Sequence, residues 1–249
     1  MKKIKYFFIV LIILGGLFFV FSPEVFPENS QFQELLSSAS QNNIIIIFNS
    51  GGWGNTPLEE AEDFTPIIKG IQETLNKWGN NSVVIPYKRT KDNFLGKISG
   101  VKGILFSFQN QAKTLSNEIE EFLQKNPGKK ILITGLSNGA VFVNDTMEEI
   151  SDNIKNQIFA IEVGTPFWEK TLNSENVLIL NNKGKDPLVE GKITALFPTL
   201  LKAPFRWLLA KVSGRNLPFA HAFYMQNHAY SWSSVKPEIT SFLEEKIKQ

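Results

Sequence analysis

The chain contains no cysteine. That excludes a disulfide framework, a Cys-ligated zinc or iron–sulfur site, and a thiol nucleophile. Histidine is scarce as well: His221 and His228 are the only two. A multi-histidine metal centre is therefore not expected, and no cofactor or metal is implied. Charge of either sign is not in surplus, since 26 Lys and Arg face 24 Asp and Glu for a net +2. Where basic residues do gather they alternate with bulky apolar ones, unlike a polar groove for nucleic acid. What is present is a 249-residue chain, 43% hydrophobic and 12% aromatic, which is long and apolar enough to bury a real core and is not disordered.

The first 22 residues stand apart. Lys2, Lys3 and Lys5 precede an uncharged, mostly Phe, Ile, Leu and Val run from Tyr6 to Ser22. A basic start before such a run reads as an export signal, either a retained transmembrane anchor or a cleaved signal peptide, with a buried helix as the third reading. Ser22 before Pro23 is a small residue suited to cleavage, but Val20 two positions earlier is large and a proline after the cut is unfavourable. The reading adopted is a single-pass anchor with the N-terminus cytoplasmic and the rest of the chain extracytoplasmic. Secretion after cleavage is the alternative. Residues 23–42, with Pro23 and Pro27, read as a tether carrying a short helix at Phe32–Ser37, and residues 43–249 as one domain.

In that domain short apolar runs recur at Ile44–Phe48, Val83–Ile85, Ile131–Ile133, Ile158–Ile161 and Val177–Leu180. A weaker sixth run spans Phe219–Met225 around His221. Apolarity without alternation is the pattern of strands buried on both faces. Helical spacing lies between them, at Ile67–Trp78 with Thr65-Pro66 as its start and Gly79 as its stop, and at Leu115–Leu123 before Asn126-Pro127-Gly128. A last helix over Ile239–Ile247 is opened by Pro237. Alternating strands and helices predict an α/β fold: a mostly parallel, doubly wound sheet of about six strands with helices on both faces.

The sharpest motif is Gly135-Leu136-Ser137-Asn138-Gly139, between a strand and a helix. Such a tight turn strains the backbone at the central serine, leaves no room for flanking side chains, and lifts Ser137 Oγ above the sheet edge at a helix N-terminus. A serine needs a base, and the base an orienting acid. Asp186-Pro187 follows the Val177–Leu180 strand, so Asp186 belongs to the same sheet edge. His228 lies in a loop before the last helix, where its ring can reach a neighbour. His221 falls inside an apolar run and fits a wall residue better, so His228 is taken as the base.

These residues together resemble the α/β-hydrolase superfamily: Gly135-x-Ser137-x-Gly139 as the nucleophile elbow, Asp186-Pro187 as the acid turn, and His228 ahead of a terminal helix. The resemblance covers about residues 43–249, without the two leading antiparallel strands of that fold. It implies Ser137 as nucleophile, Asp186 as acid and His228 as base. It also implies an oxyanion hole from the N–H of Asn138 and from the loop Asn49-Ser50-Gly51-Gly52-Trp53-Gly54, where Gly51 or Gly52 is the expected donor. Trp53, Leu136 and Phe167 are the expected pocket-lining residues.

Between Asp186 and His228 the fold needs only a helix and a strand, yet 41 residues intervene, and residues 188–218 read as an insertion. Residues 191–220 hold Lys192, Lys202, Arg206, Lys211 and Arg215 and no acid, among many Leu, Phe and Trp. Pro198, Pro204 and Pro218 suggest two or three short helices forming a cap. Its composition suits either a packed cover or contact with an anionic bilayer. The activity expected is hydrolysis of a carboxylic ester, from a small molecule or a lipid, through an acyl-enzyme. An acyltransferase or thioesterase on the same residues, or an inactive membrane-tethered binding module, are the alternatives.

Overall fold

All five of the stronger apolar runs become strands. The computed structural model describes residues 13–23, 26–27, 30–106, 108–215 and 227–248. Its strands are β1 (Ile44–Asn49), β2 (Ser82–Pro86), β3 (Lys130–Leu136), β4 (Ile158–Val163) and β5 (Val177–Leu180). They form one wholly parallel sheet in the order β2-β1-β3-β4-β5. The sixth expected strand, at Phe219–Met225, lies outside the described residues, as does His221.

Helices cover both faces. They are α1 (residues 13–21), α2 (Ser30–Ser38), α3 (Thr65–Lys77), α4 (Phe94–Phe106), α5 (Gln109–Lys125), α6 (Asn138–Glu149), α7 (Ile193–Val212) and α8 (Trp232–Lys246). Alternate residues of each central strand serve opposite cores. Ile45, Ile47, Ile131, Ile133, Ile158 and Ala160 meet α2, α5 and α6 on one side. Ile44, Ile46, Phe48, Leu132, Phe159 and Ile161 meet α3 and α8 on the other. Both faces being dry explains why the strands show no polar alternation.

Several element boundaries differ from the sequence expectation. Phe64, rather than Thr65, precedes α3, with Thr65 and Pro66 inside its first turn; the Thr65 hydroxyl donates back to the Leu58 carbonyl instead of capping. α8 starts well before Pro237, because Ser231 and Ser234 form a reciprocal capping box that opens the helix at Trp232. The periodicity does not flag α4, whose Gly96, Gly100 and Gly103 weaken helix propensity. The expected broken cap is one helix, since α7 runs through both Pro198 and Pro204; a proline inside a helix deletes one backbone bond but need not end it.

Among the described residues no helix is long and apolar enough to cross a membrane. α1 is the described part of the N-terminal apolar run, and residues 1–12 with the three lysines lie outside the described residues. The α1 end is tied to α4: Lys102 Nζ donates to the carbonyls of Val20 (3.1 Å) and Ser22 (2.5 Å), and Phe18 stacks on Phe94 with ring centroids 6.4 Å apart.

Candidate active site

The winding of the sheet reverses between β1 and β3. β1 leads outward to β2 at one edge, and β3 leads the other way to β4 and β5. The loops leaving β1 and β3 therefore diverge and open a crevice at the carboxyl ends of the strands, where parallel sheets bind ligands. The loop beginning at Ser50 and the turn at Ser137 flank this crevice, because the register pairs Asn49 with Gly135.

Ser137 has φ 53° and ψ −116°, a left-handed conformation that a serine adopts only when its surroundings impose it. The imposing contacts are visible. Its N–H donates to the Val163 carbonyl at 2.8 Å, and its own carbonyl accepts from Ala140 and Val141 at 2.8 and 3.2 Å. Glycine is needed on both sides. A Cβ on Gly135 would lie 2.3 Å from the Gly139 carbonyl oxygen, and one on Gly139 would lie 2.5 Å from that of Asn49. The elbow is thus packed backbone on backbone, with Ser137 half-buried at the N-terminus of α6.

Asp186 and His228 meet on the far side of the same edge. Asp186 is fully buried, and its Oδ2 lies 2.8 Å from His228 Nδ1 and accepts from the Tyr230 hydroxyl at 2.5 Å. Its Oδ1 accepts from the N–H groups of Leu188 (2.9 Å) and Val189 (3.4 Å), an Asx turn that fixes the carboxylate to its own loop. Burial pushes the Asp186 pKa up, but the hydrogen bonds and charge of His228, then Tyr230 and Leu188, outweigh it and hold the carboxyl below its usual range. Tyr230 responds in the opposite sense: burial and the carboxylate beside it raise its pKa, so it stays a donor.

Gly164, after β4, brings the two halves together. Its N–H donates to Leu180 at 2.8 Å, and a Cβ there would touch His228 Cε1 at 3.0 Å and Asp186 Oδ2 at 3.3 Å. Val163, the residue before it, is the one that binds the Ser137 N–H. The His228 loop is held from outside by Asn182 Nδ2, which donates to the Asn227 carbonyl at 2.9 Å.

With this geometry in view, two solved structures can be compared. A Trichoderma reesei cutinase in complex with a C11Y4 phosphonate inhibitor aligns with a TM-score of 0.50 at 13% identity, over 87% of this chain and 89% of that one. An acetylxylan esterase aligns with a TM-score of 0.51 at 12% identity, over 82% and 98%. The fold resembles that of serine esterases. No protein-family model matches the chain, and no curated protein matches it in sequence. The likeness is therefore one of cutinase-like architecture, and the arrangement of side chains in it comes from this chain's own coordinates.

On that cutinase-like frame the loop after β1 closes onto the elbow from above. A Cβ on Gly51 would lie 3.3 Å from the Leu136 carbonyl oxygen. Asn138 Nδ2 donates to the Gly52 carbonyl at 3.2 Å. The loop thus brackets Ser137 through both of its chain neighbours. Leu136 is buried beneath Gly51 in the core. Trp53 is half-buried against α4, with its ring 3.2 Å from where a Gly100 Cβ would stand. Phe167 and Trp168 are 48% and 47% exposed and pack edge to face, 5.2 Å between centroids.

Two residues close to this site carry no sequence signal. Tyr230 reads as an ordinary aromatic, and Arg89, in Lys88-Arg89, reads as a solvated charge. Yet Arg89 is fully buried, and its guanidinium donates to the carbonyls of Ser50 and Asn138 at 2.5 and 3.0 Å.

Proposed function

We propose that the chain is a serine hydrolase of carboxylic esters, with Ser137 as nucleophile, His228 as general base and Asp186 as the acid that orients it. The observation that carries this reading is the contact of half-buried His228 with fully buried Asp186 at 2.8 Å, at the sheet edge where a serine is held at φ 53°. In the proposed mechanism His228 Nε2 takes the Ser137 proton as Oγ attacks the acyl carbonyl. The imidazolium is stabilised by Asp186 through Nδ1–H. The Asn138 N–H and one from Gly51 or Gly52 hold the oxyanion. The alcohol leaves with the proton from His228, and water activated by the same base releases the acid. The esterase named among the fold neighbours, and the phosphonate bound by the cutinase, suit this chemistry.

Labelling with a fluorophosphonate tests it. The folded chain should form one adduct, at Ser137, and Ser137→Ala should abolish the adduct and lower kcat by about 10⁴-fold or more. An unlabelled folded chain would favour the inactive binding module. Transfer to an added alcohol at the expense of hydrolysis would mark an acyltransferase, and a preference for acyl thioesters a thioesterase.

A lipid-borne ester is the substrate class we favour, and α7 is the reason. Leu201, Phe205, Leu208, Leu209 and Val212, all more than half exposed, form one stripe along the helix. Lys202 and Arg206 flank it on one side and Lys211 on the other. An apolar stripe bordered by cations is the pattern of a helix lying in the surface of an anionic bilayer. α1, with Ile13, Leu14, Phe18 and Phe21 exposed, fits a membrane anchor that leaves the rest of the chain outside the cytoplasm, or a signal removed on secretion.

A further inference from the structure

Among the described residues Arg89 is the largest fully buried side chain, and no ion pair there includes it. Its Nε has no partner, and its charged carbon lies 5.0 Å over the Phe108 ring and 5.8 Å over that of Phe142. Burial pulls its pKa down to about 9, which still leaves it charged at neutral pH. Enclosing a guanidinium without a carboxylate is expensive, and an apolar residue would fill the space at lower cost. What the charge touches must account for it.

It touches two carbonyls, on opposite sides of the crevice. Nη2 holds Ser50 O on the loop after β1, and Nη1 holds Asn138 O on the first turn of α6. A trans peptide carries its C=O and N–H in opposite directions. Drawing Ser50 O inward to the guanidinium therefore turns the Gly51 N–H the opposite way, away from Arg89. The Ser137 carbonyl is likewise drawn into α6 by Ala140 and Val141, which turns the Asn138 N–H out of the helix end. Arg89 joins these two donor-bearing segments. It is itself held, because its N–H donates to Gly54 O at 2.8 Å and its carbonyl accepts from Gln111 Nε2 at 2.6 Å.

We propose that Arg89 is a positioning residue for the oxyanion hole. Its guanidinium spans Ser50 and Asn138, sets the spacing of the Gly51 and Asn138 N–H groups, and adds a buried positive charge beneath the oxygen they bind. The inference rests on the serine hydrolase reading, and it selects Gly51 over Gly52 as the second donor. It predicts that loss of Arg89 weakens binding of the tetrahedral intermediate and not of the ground-state ester.

The experiment compares the full-length chain with Arg89→Met and Arg89→Lys. It measures melting temperature, phosphonate-titrated active sites, and kcat and KM for p-nitrophenyl butyrate. Per titrated site, Arg89→Met should lower kcat by about 100-fold, the size expected for losing one oxyanion donor, with KM within about 2-fold. Arg89→Lys keeps the charge but cannot bridge both carbonyls, so it should lose about 10-fold in kcat. Phosphonate labelling rates should fall in parallel. Either variant, folded, retaining the wild-type kcat and labelling rate overturns the proposal, as does a loss that appears in KM instead. Should Arg89→Met fail to fold, the Arg89→Lys kcat decides alone. A wild-type chain that does not label at Ser137 would defeat the hydrolase reading itself, whereas variants that label as fast as a labelling wild type defeat only this inference.

Discussion

At the scale of single residues, the site is organised around one carboxylate. Asp186 has four hydrogen-bond donors, and two of them, His228 and Tyr230, converge on the same oxygen. Removing the Tyr230 hydroxyl takes a short bond from a buried anion, a loss of about 1.5–3 kcal/mol. Asp186 titrates below its usual range in the folded chain, so its stabilisation is present above the unfolded carboxylate pKa and lost as pH falls through the lower folded value. Tyr230→Phe raises that folded value. The variant should be less stable than wild type at pH 7 by about 1.5–3 kcal/mol in urea unfolding, and the gap should narrow on acidification toward pH 3. A gap independent of pH would mean that Tyr230 supports the fold without tuning Asp186. On the proposed hydrolase reading, its kcat on a short-chain ester should drop about 10-fold through the less well-held His228.

The elements differ in how much their surroundings constrain them. β1, β3 and β4 are dry on both faces, and α6 is packed between α5 and the sheet. α7 instead buries Ala203 and Ala210 on one side and shows a stripe of large apolar residues on the other. On the proposed lipid reading that stripe is a docking surface. Phe205→Glu with Leu209→Glu should lower hydrolysis of a long-chain ester carried in phosphatidylglycerol-containing vesicles by about 10-fold, from lost apolar contact and added charge. Hydrolysis of a soluble short-chain ester should be unchanged, since neither residue belongs to the proposed catalytic set. Equal losses on both substrates, or none, would remove the docking role. Raised ionic strength should weaken the vesicle-borne rate in wild type.

Across the whole molecule, the nearly neutral total hides an uneven distribution. Basic residues concentrate at the N-terminus and along residues 191–220, which contain no acid, leaving the remainder acidic. Part of that acidity is buried between β4 and α6. Glu162 is fully buried, with one oxygen unpartnered and the other accepting from Thr165 at 3.1 Å. Burial first, then Glu169 and Asp145 nearby, push its pKa up to about 8; burial also raises Glu169 to about 7 and Asp145 to about 6. A carboxyl raised in the folded state binds more protons there than in the unfolded chain, so its stabilisation is complete below the unfolded value and is lost as pH rises through the folded one. The melting temperature should therefore fall between pH 6 and pH 9, and Glu162→Gln should remove most of that decline. A wild-type melting temperature that stays level or rises over this range would show that these carboxyls titrate normally.

The sequence by itself determined the positions of the five strands, because an apolar run dry on both faces is encoded locally in Ile44–Phe48 or Ile131–Ile133. It determined the elbow too, because the clashes that exclude side chains at Gly135 and Gly139 arise within a few residues and the neighbouring strand. That Asp186 and His228 stand close together was legible from their distance to strand and helix ends; the roles given to them are the proposal made above. The terminal-helix start was not, since a serine capping box outweighs the proline that marks a start elsewhere. α4 and the unbroken α7 escaped because local propensity, which Gly and Pro dominate, is overridden by neighbours far away in the chain. Arg89, Tyr230 and the carboxyl cluster of Glu162, Asp145 and Glu169 were decided only by tertiary structure. A charge or hydroxyl looks the same in sequence whether water or a distant carbonyl solvates it, and only the register of β1 against β3 brings Ser50 and Asn138 within reach of one guanidinium.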